Sequence, residues 1–117
     1  MRSHKRLDVW KTAMQLVKEI YRITSKFPEE ERYGLTSQMR RSAVSVPSNI
    51  AEGAARSGHK EFLRFLYIAR GSLSELETQI LIAIELTYIA EGKAITNDIE
   101  KVFALLGGLI KSVNARK

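Results

Sequence analysis

Cysteine is absent from the 117 residues, and proline and histidine occur only twice each. Without thiols there is no disulfide, no thiolate metal site and no cysteine nucleophile, a composition that suits a reducing cytosol. His4 and His59 lie far apart, and neither stands three residues after a glutamate, so the paired Glu-x-x-His motifs of a di-iron bundle cannot be assembled. His59 sits between Gly58 and Lys60, the setting of a solvated side chain rather than of a zinc ligand or general base. No apolar run approaches the roughly 20 residues of a membrane span. The opening Met1-Arg2-Ser3-His4-Lys5-Arg6 leads into an amphipathic pattern, not an apolar signal core. There is no Gly-rich phosphate loop after a strand, no nucleophile elbow and no period-two alternation. These absences predict a cytoplasmic, all-helical protein that is not an enzyme, with no cofactor, no metal and no membrane segment.

What is present is ordinary for a folded chain: 44% apolar and 27% charged residues, in a length that predicts one domain over 1–117. The charge is less ordinary. Residues 1–60 hold 12 Lys/Arg against 6 Asp/Glu, whereas residues 61–117 hold 7 against 7, so the whole net charge of +6 is N-terminal. Clustered basic charge is the electrostatic footprint of nucleic-acid binding, although a basic protein can simply carry solvated lysines and arginines.

Apolar residues recur at steps of four and three in four segments, each of which predicts a helix. Val9, Ala13, Leu16, Ile20, Ile23 and Phe27 mark the first, from about Asp8 to Lys26, ended by Phe27-Pro28. Leu35, Met39, Ser42/Ala43, Val46, Ile50 and Ala54 mark the second, stopped by Ser57-Gly58. Pro47 falls inside it and predicts a kink, with Ser45, Ser48 and Asn49 at hand for loosened backbone groups; a clean break into two short helices is the competing geometry. Phe62, Leu66, Ala69, Leu73, Leu76, Ile80 and Ala83 mark the third, about His59 to Ile89. Its far end, with Ile80, Leu81, Ile82, Ile84 and Leu86, is apolar on nearly every face and must be covered by the fold or by other subunits. After Glu91-Gly92, Thr96 or Asn97 is placed to cap a fourth helix striped by Ile99, Phe103, Leu106, Ile110 and Val113 and ending in Arg116-Lys117. Short connections predict an up-down antiparallel four-helix bundle. Gly53, Gly71-Ser72 and Gly107-Gly108 fall within helices, where close helix approach would offset their cost; otherwise they are weak spots.

Glu52 and Glu75 are the acids in the most apolar or small surroundings. A carboxylate pair could do acid–base work, but pairing with Arg41, Arg70 or Asn49 to hold register is the favoured reading. Lys11, Lys18, Arg22 and Lys26 lie within about 80° on the first helix, a basic ridge. Arg40 and Arg41, with Arg56, Lys60 and Arg64 around the second turn, make another cluster, partly offset by Glu52 and Glu61. Such clusters neutralise phosphates without reading bases, and no recognition-helix turn, zinc finger or aromatic RNA-binding sheet is present.

Several stretches together carry a resemblance: Phe27-Pro28 with Glu30-Glu31 and Tyr33-Gly34-Leu35; Gln38 and Arg40-Arg41; Ser45-Val46-Pro47-Ser48-Asn49-Ile50-Ala51-Glu52-Gly53; and Phe65-Leu66 with Ala69, Gly71-Ser72 and Glu75. From about Leu7 to Ile89 the sequence resembles the bacterial four-helix-bundle proteins encoded in intervening sequences of 23S ribosomal RNA genes, long labelled S23 ribosomal proteins. The segment around Pro47 and Glu52 is the specific part, and the fourth helix matches least. The resemblance implies a homopentamer with a basic surface, related to the accessory protein that binds nucleic acid and a reverse transcriptase in diversity-generating retroelements. The leading expectation is an oligomeric, non-enzymatic nucleic-acid-binding protein using Lys11, Lys18, Arg22, Arg40, Arg41, Arg56, Lys60 and Arg64. A protein-interaction scaffold is the rival, and charge reversal at Arg40 and Arg41 separates the two.

Overall fold

The computed structural model describes residues 3–90 and 93–116. Among them are four α-helices, α1 (Asp8–Thr24), α2 (Leu35–Ala55), α3 (His59–Glu85) and α4 (Lys93–Ala115), short 3-10 turns at Ser3–Arg6 and Glu29–Glu31, and no strand. α1 and α3 each pack against both α2 and α4. One apolar core draws on all four helices, with Ile20, Met39, Ile50, Leu66, Leu73, Leu76, Ile99 and Leu106 shut off from solvent.

The predicted stripes are the buried faces along the middle of each helix, with shifts of one or a few residues elsewhere, as at Leu35 to Thr36, Ala54 to Gly53 and Phe62 to Phe65. On α1 the buried position near the end is Thr24 rather than Ile23: its hydroxyl donates to the Ile20 carbonyl at 2.6 Å and accepts from Arg40, so a polar residue is satisfied where an apolar one was expected. On α4 Val102 is fully buried and Phe103 only partly, since the larger ring fits at the margin of the core.

α2 runs unbroken through Pro47, which excludes the clean break. Asn49 Nδ2 donates to the Ser45 carbonyl at 2.8 Å and to Ser45 Oγ at 2.9 Å, so the side-chain bonds fall two positions beyond the Ala43 carbonyl that Pro47 leaves without its donor. Small residues line the contact of α2 with α3. Ser45 Oγ and Ser72 Oγ are 2.8 Å apart, and Gly53 is buried against Phe62 and Phe65. Close approach therefore accounts for Gly53 but not for Gly71, Gly107 or Gly108: a Cβ at any of those three would meet nothing within 4 Å.

α3 stops at Glu85, four residues before its predicted end at Ile89. The Tyr88 N–H reaches back to the Ala83 carbonyl and the Thr87 N–H to Ile84, both at 2.9 Å, the paired bonds that close a helix through a left-handed residue. Here that residue is Thr87, at φ 61°, a conformation a β-branched side chain disfavours. Thr87→Gly is expected to raise the unfolding free energy by about 0.5–1 kcal/mol, the left-handed penalty removed less the entropy glycine adds to the unfolded chain. Chemical denaturation reads this directly, and an unchanged midpoint would mean the turn is unstrained. α4 begins at Lys93, so Thr96 and Asn97 lie inside it and are not its caps; the expected break at Glu91-Gly92 falls outside the described residues.

Glu31 ties the two longer connections together. Its Oε1 accepts the Leu35 N–H at 3.1 Å, capping the start of α2, and its Oε2 accepts the Tyr88 hydroxyl at 2.9 Å. That hydrogen bond, with desolvation and the charges of Glu31 and Glu30, raises the Tyr88 pKa above its ordinary 10.0. A folded pKa above the unfolded one makes the contribution complete below about pH 10 and lost as pH rises through the folded value. Tyr88→Phe is accordingly expected to be less stable than wild type at neutral pH, with the gap closing in strong alkali. Denaturant titrations across that range check it, and a gap independent of pH would count against the hydrogen bond.

Candidate nucleic-acid interface

The helices distribute the basic residues over two regions and assign several of them other work. On α1, Lys11 and Lys18 are exposed because the stripe from Val9 to Ile20 turns the opposite face inward. They border a groove of about 370 Å³ whose far wall is α4, through Asp98 and Lys101. Arg22, on the same side, is engaged: its Nη2 donates to Glu19 Oε1 at 2.7 Å and its Nε to Oε2 at 3.1 Å. The bond and charge of Arg22 hold the Glu19 carboxyl below its usual range, and Arg22 is raised in turn. Both groups remain solvated, so the pair adds little to stability. Its consequence is for binding, because a phosphate must compete with Glu19 for Arg22.

The second expected cluster divides. Arg41 lies near the start of α2 and Arg56 just past its end at Ala55, fifteen residues and about 22 Å apart along the helix axis. Arg40 is half-buried, donating to Thr24 Oγ1 at 2.9 Å with its guanidinium 4.5 Å from the centre of the Tyr21 ring, which makes it a clamp between α1 and α2. Arg41 is exposed at a polar hollow with Gln38, Ser42, Ser45 and Glu75. Arg56, Lys60 and Arg64 gather around the turn from α2 to α3, where Gly58, at φ 99°, adopts backbone angles closed to other residues. Arg56 pairs with Glu52 at 3.1 Å and Arg64 with Glu61 at 3.2 Å, and both guanidiniums lie over the Phe65 ring, at 5.1 and 4.5 Å. The Arg64 hydrogen bond keeps the Glu61 carboxyl low. Of the eight predicted cations, Lys11, Lys18, Arg41 and Lys60 are exposed and form no ion pair among the described residues, which leaves them free to meet a ligand.

Glu52 and Glu75 are both exposed and do not meet. Glu75 accepts from Ser42 Oγ at 3.3 Å, and Ser42 precedes Glu52 by ten residues on α2, about 15 Å of helix. Of the suggested partners, Asn49 is engaged with Ser45 and Arg70 lies over the Tyr67 ring at 4.9 Å, whereas Arg41 shares the polar hollow with Glu75 without an ion pair among the described residues. Nothing in this placement supports paired acid–base chemistry. Among the described residues no cluster of His, Asp and Glu could hold a metal ion, and no helix is long and apolar enough to cross a membrane.

Sequence reasoning missed Lys101 and Tyr67. Counting charge by halves hid Lys101, whose half is neutral overall, and only the packing of α4 on α1 places it opposite Lys11 and Lys18. Tyr67 falls off the α3 stripe, which signals exposure but not use.

A family model described as 23S rRNA-intervening sequence protein matches residues 5–108, most of the chain and all four helices but for the end of α4. No curated protein matches the chain.

Proposed function

Because the chain belongs to the family of 23S rRNA-intervening sequence proteins, we propose that it acts without catalysis, as an oligomeric nucleic-acid-binding protein that grips phosphates through basic helix faces. The observation that carries this reading is the groove between α1 and α4, where Lys11, Lys18 and Lys101 face solvent and form no ion pair among the described residues, with Glu19 and Asp98 on the same walls. Unpaired amines need shed only water to meet a phosphate, whereas Arg22, Arg56 and Arg64 must first leave a carboxylate.

The oligomer rests on a different surface. Leu81 and Ile82 on α3 and Leu86 just past its end are 54%, 44% and 47% exposed, and Met14 and Val44 are exposed beside Trp10 and Pro47 on α1 and α2. Two unlike apolar surfaces on one chain suit a head-to-tail contact, which closes into a ring when the rotation between copies allows. The five-subunit ring, the up-down order of the helices, the single domain, the cytoplasmic location and the reverse-transcriptase partner belong to the same proposal. Helix order has support in the contacts. Thr24 meets Arg40, and Trp10 shares a groove with Ala51, so α1 and α2 pair in opposite chain order; Ser42 with Glu75 and Gly53 with Phe65 do the same for α2 and α3.

The exposed apolar patch on α3 also favours the second reading, a scaffold for another protein in which the charge only maintains solubility. Light scattering of the purified protein with and without structured RNA, across a salt series, decides between them. The proposal expects a multiple of the 13.3 kDa chain mass and an RNA affinity that falls steeply with salt. Absence of binding at low salt, or binding indifferent to salt, would leave the scaffold.

A further inference from the structure

We infer that the groove where the first turns of α3 meet the last turn of α4 is a base-stacking slot for single-stranded nucleic acid, with Tyr67 as its platform. The inference rests on the nucleic-acid reading above and adds to it the strandedness of the ligand and the residue that senses it.

The groove is about 910 Å³, within the range of small-ligand sites, and it has an apolar floor and a basic rim. Leu63 and Tyr67 form the floor, and Asn114 brings in α4 from the far side. Tyr67 is 44% exposed and lies outside the apolar core, while its neighbour Phe65 is buried. With the adjacent Ile68 exposed as well, Tyr67 leaves a ring face in water beside the cationic rim. The Arg70 guanidinium lies 4.9 Å from the ring centre, where it stacks against the ring and restrains it. His59, Lys60 and Arg64 rim the same groove, and its one acid, Glu61, is held by Arg64.

The placement of these cations is itself informative. The first turn of a helix carries partial positive charge, which favours acids and disfavours amines. Here Lys60 occupies that turn without an ion pair among the described residues, while the turn's acid, Glu61, is taken up by Arg64 and the preceding Arg56 by Glu52, so Lys60 is the cation left for an anion. Cationic rim and aromatic floor together are the means by which single strands are held, phosphates on the charges and unpaired bases on the ring. A duplex offers the same phosphates but keeps its base faces stacked, so Tyr67 has nothing to meet. An acidic peptide would satisfy the rim and leave the ring unused.

The test is anisotropy of labelled oligouridylate, of labelled oligoadenylate and of the duplex formed by pairing them, each titrated with wild type, Tyr67→Ala, Tyr67→Phe and Lys60→Gln over a salt series. Tyr67→Ala is expected to weaken both single strands by about tenfold with the salt slope and the duplex affinity unchanged. Tyr67→Phe should bind like wild type, which also shows that the fold tolerates the position. Lys60→Gln should lower the salt slope for single strands by about 0.7. An unchanged single-strand affinity in Tyr67→Ala, or an equal loss on the duplex, overturns the slot and leaves the basic-face reading standing. Failure of every nucleic acid to bind wild type at low salt overturns both.

Discussion

Lys11→Gln, Lys18→Gln and Lys101→Gln combined are expected to weaken RNA binding by about a hundredfold and to lower the slope of log affinity against log salt by about 2–3. Each ammonium that meets a phosphate releases condensed counterions, so the slope counts contacts while the affinity reports their sum. The loss should be uniform across RNA sequences, because backbone contacts position a ligand without reading it. The fold should be indifferent to the change: Lys11, Lys18 and Lys101 are exposed and make no ion pair among the described residues. Glutamine keeps the first two methylenes of each stem and a polar end while removing the charge. An intact oligomer with an unaltered salt slope would move the site away from this groove, leaving the turn between α2 and α3 to carry the affinity.

The structure also changes which variants are informative. Reversing Arg40 and Arg41 together was the natural choice from sequence, where they read as one exposed pair. Arg40 in fact donates to Thr24 and stacks on Tyr21, so Arg40→Glu would remove the donor to a buried hydroxyl and break a contact between α1 and α2. Lost binding in that double variant could be lost folding. Arg41→Glu alone tests charge at that position without the clamp.

The helices were legible because each buries one stripe, and a period of four and three survives any detail of packing. Their ends were less so. Thr87 closes α3 from a left-handed conformation that a threonine does not advertise, and the actual start of α4 lies upstream of the residues that look like caps. Glu52 misleads for another reason. Ala51, Gly53, Ala54 and Ala55 resemble an interior around it, yet small residues suit both a tight helix contact and a bare outer face, and Glu52 is on the outer one. The candidate site was legible only as single cations. Which of them are free and which are held by a glutamate or a ring depends on side-chain geometry at three and four residues' spacing and on the partner helix.

Gly53 separates the two meanings of a helical glycine. A Cβ there would lie 2.8 Å from the Phe65 Cβ, 3.0 Å from the Phe62 Cδ1 and 3.2 Å from the Phe62 carbonyl oxygen. The ring edge can swing aside, but the Phe65 Cβ and the Phe62 carbonyl are fixed to α3, so α2 and α3 must part to admit the methyl. Gly53→Ala gains about 1 kcal/mol of helix propensity and meets overpacking of about 1–3 kcal/mol, so a net loss of stability is expected, up to about 2 kcal/mol. Gly71→Ala should go the other way, gaining about 1 kcal/mol, since a Cβ there meets nothing within 4 Å. Guanidinium denaturation of the two variants beside wild type reads both signs. The functional consequences should diverge as well: Phe65 is the ring on which Arg56 and Arg64 rest, so displacing α3 at Gly53 disturbs the basic turn, whereas Gly71 leaves it alone. If Gly53→Ala matched wild type, the close approach of α2 and α3 would be wrong. If Gly71→Ala lost stability instead, the cost could not come from within the chain, and a second copy packing against the outer face of α3 would be its source.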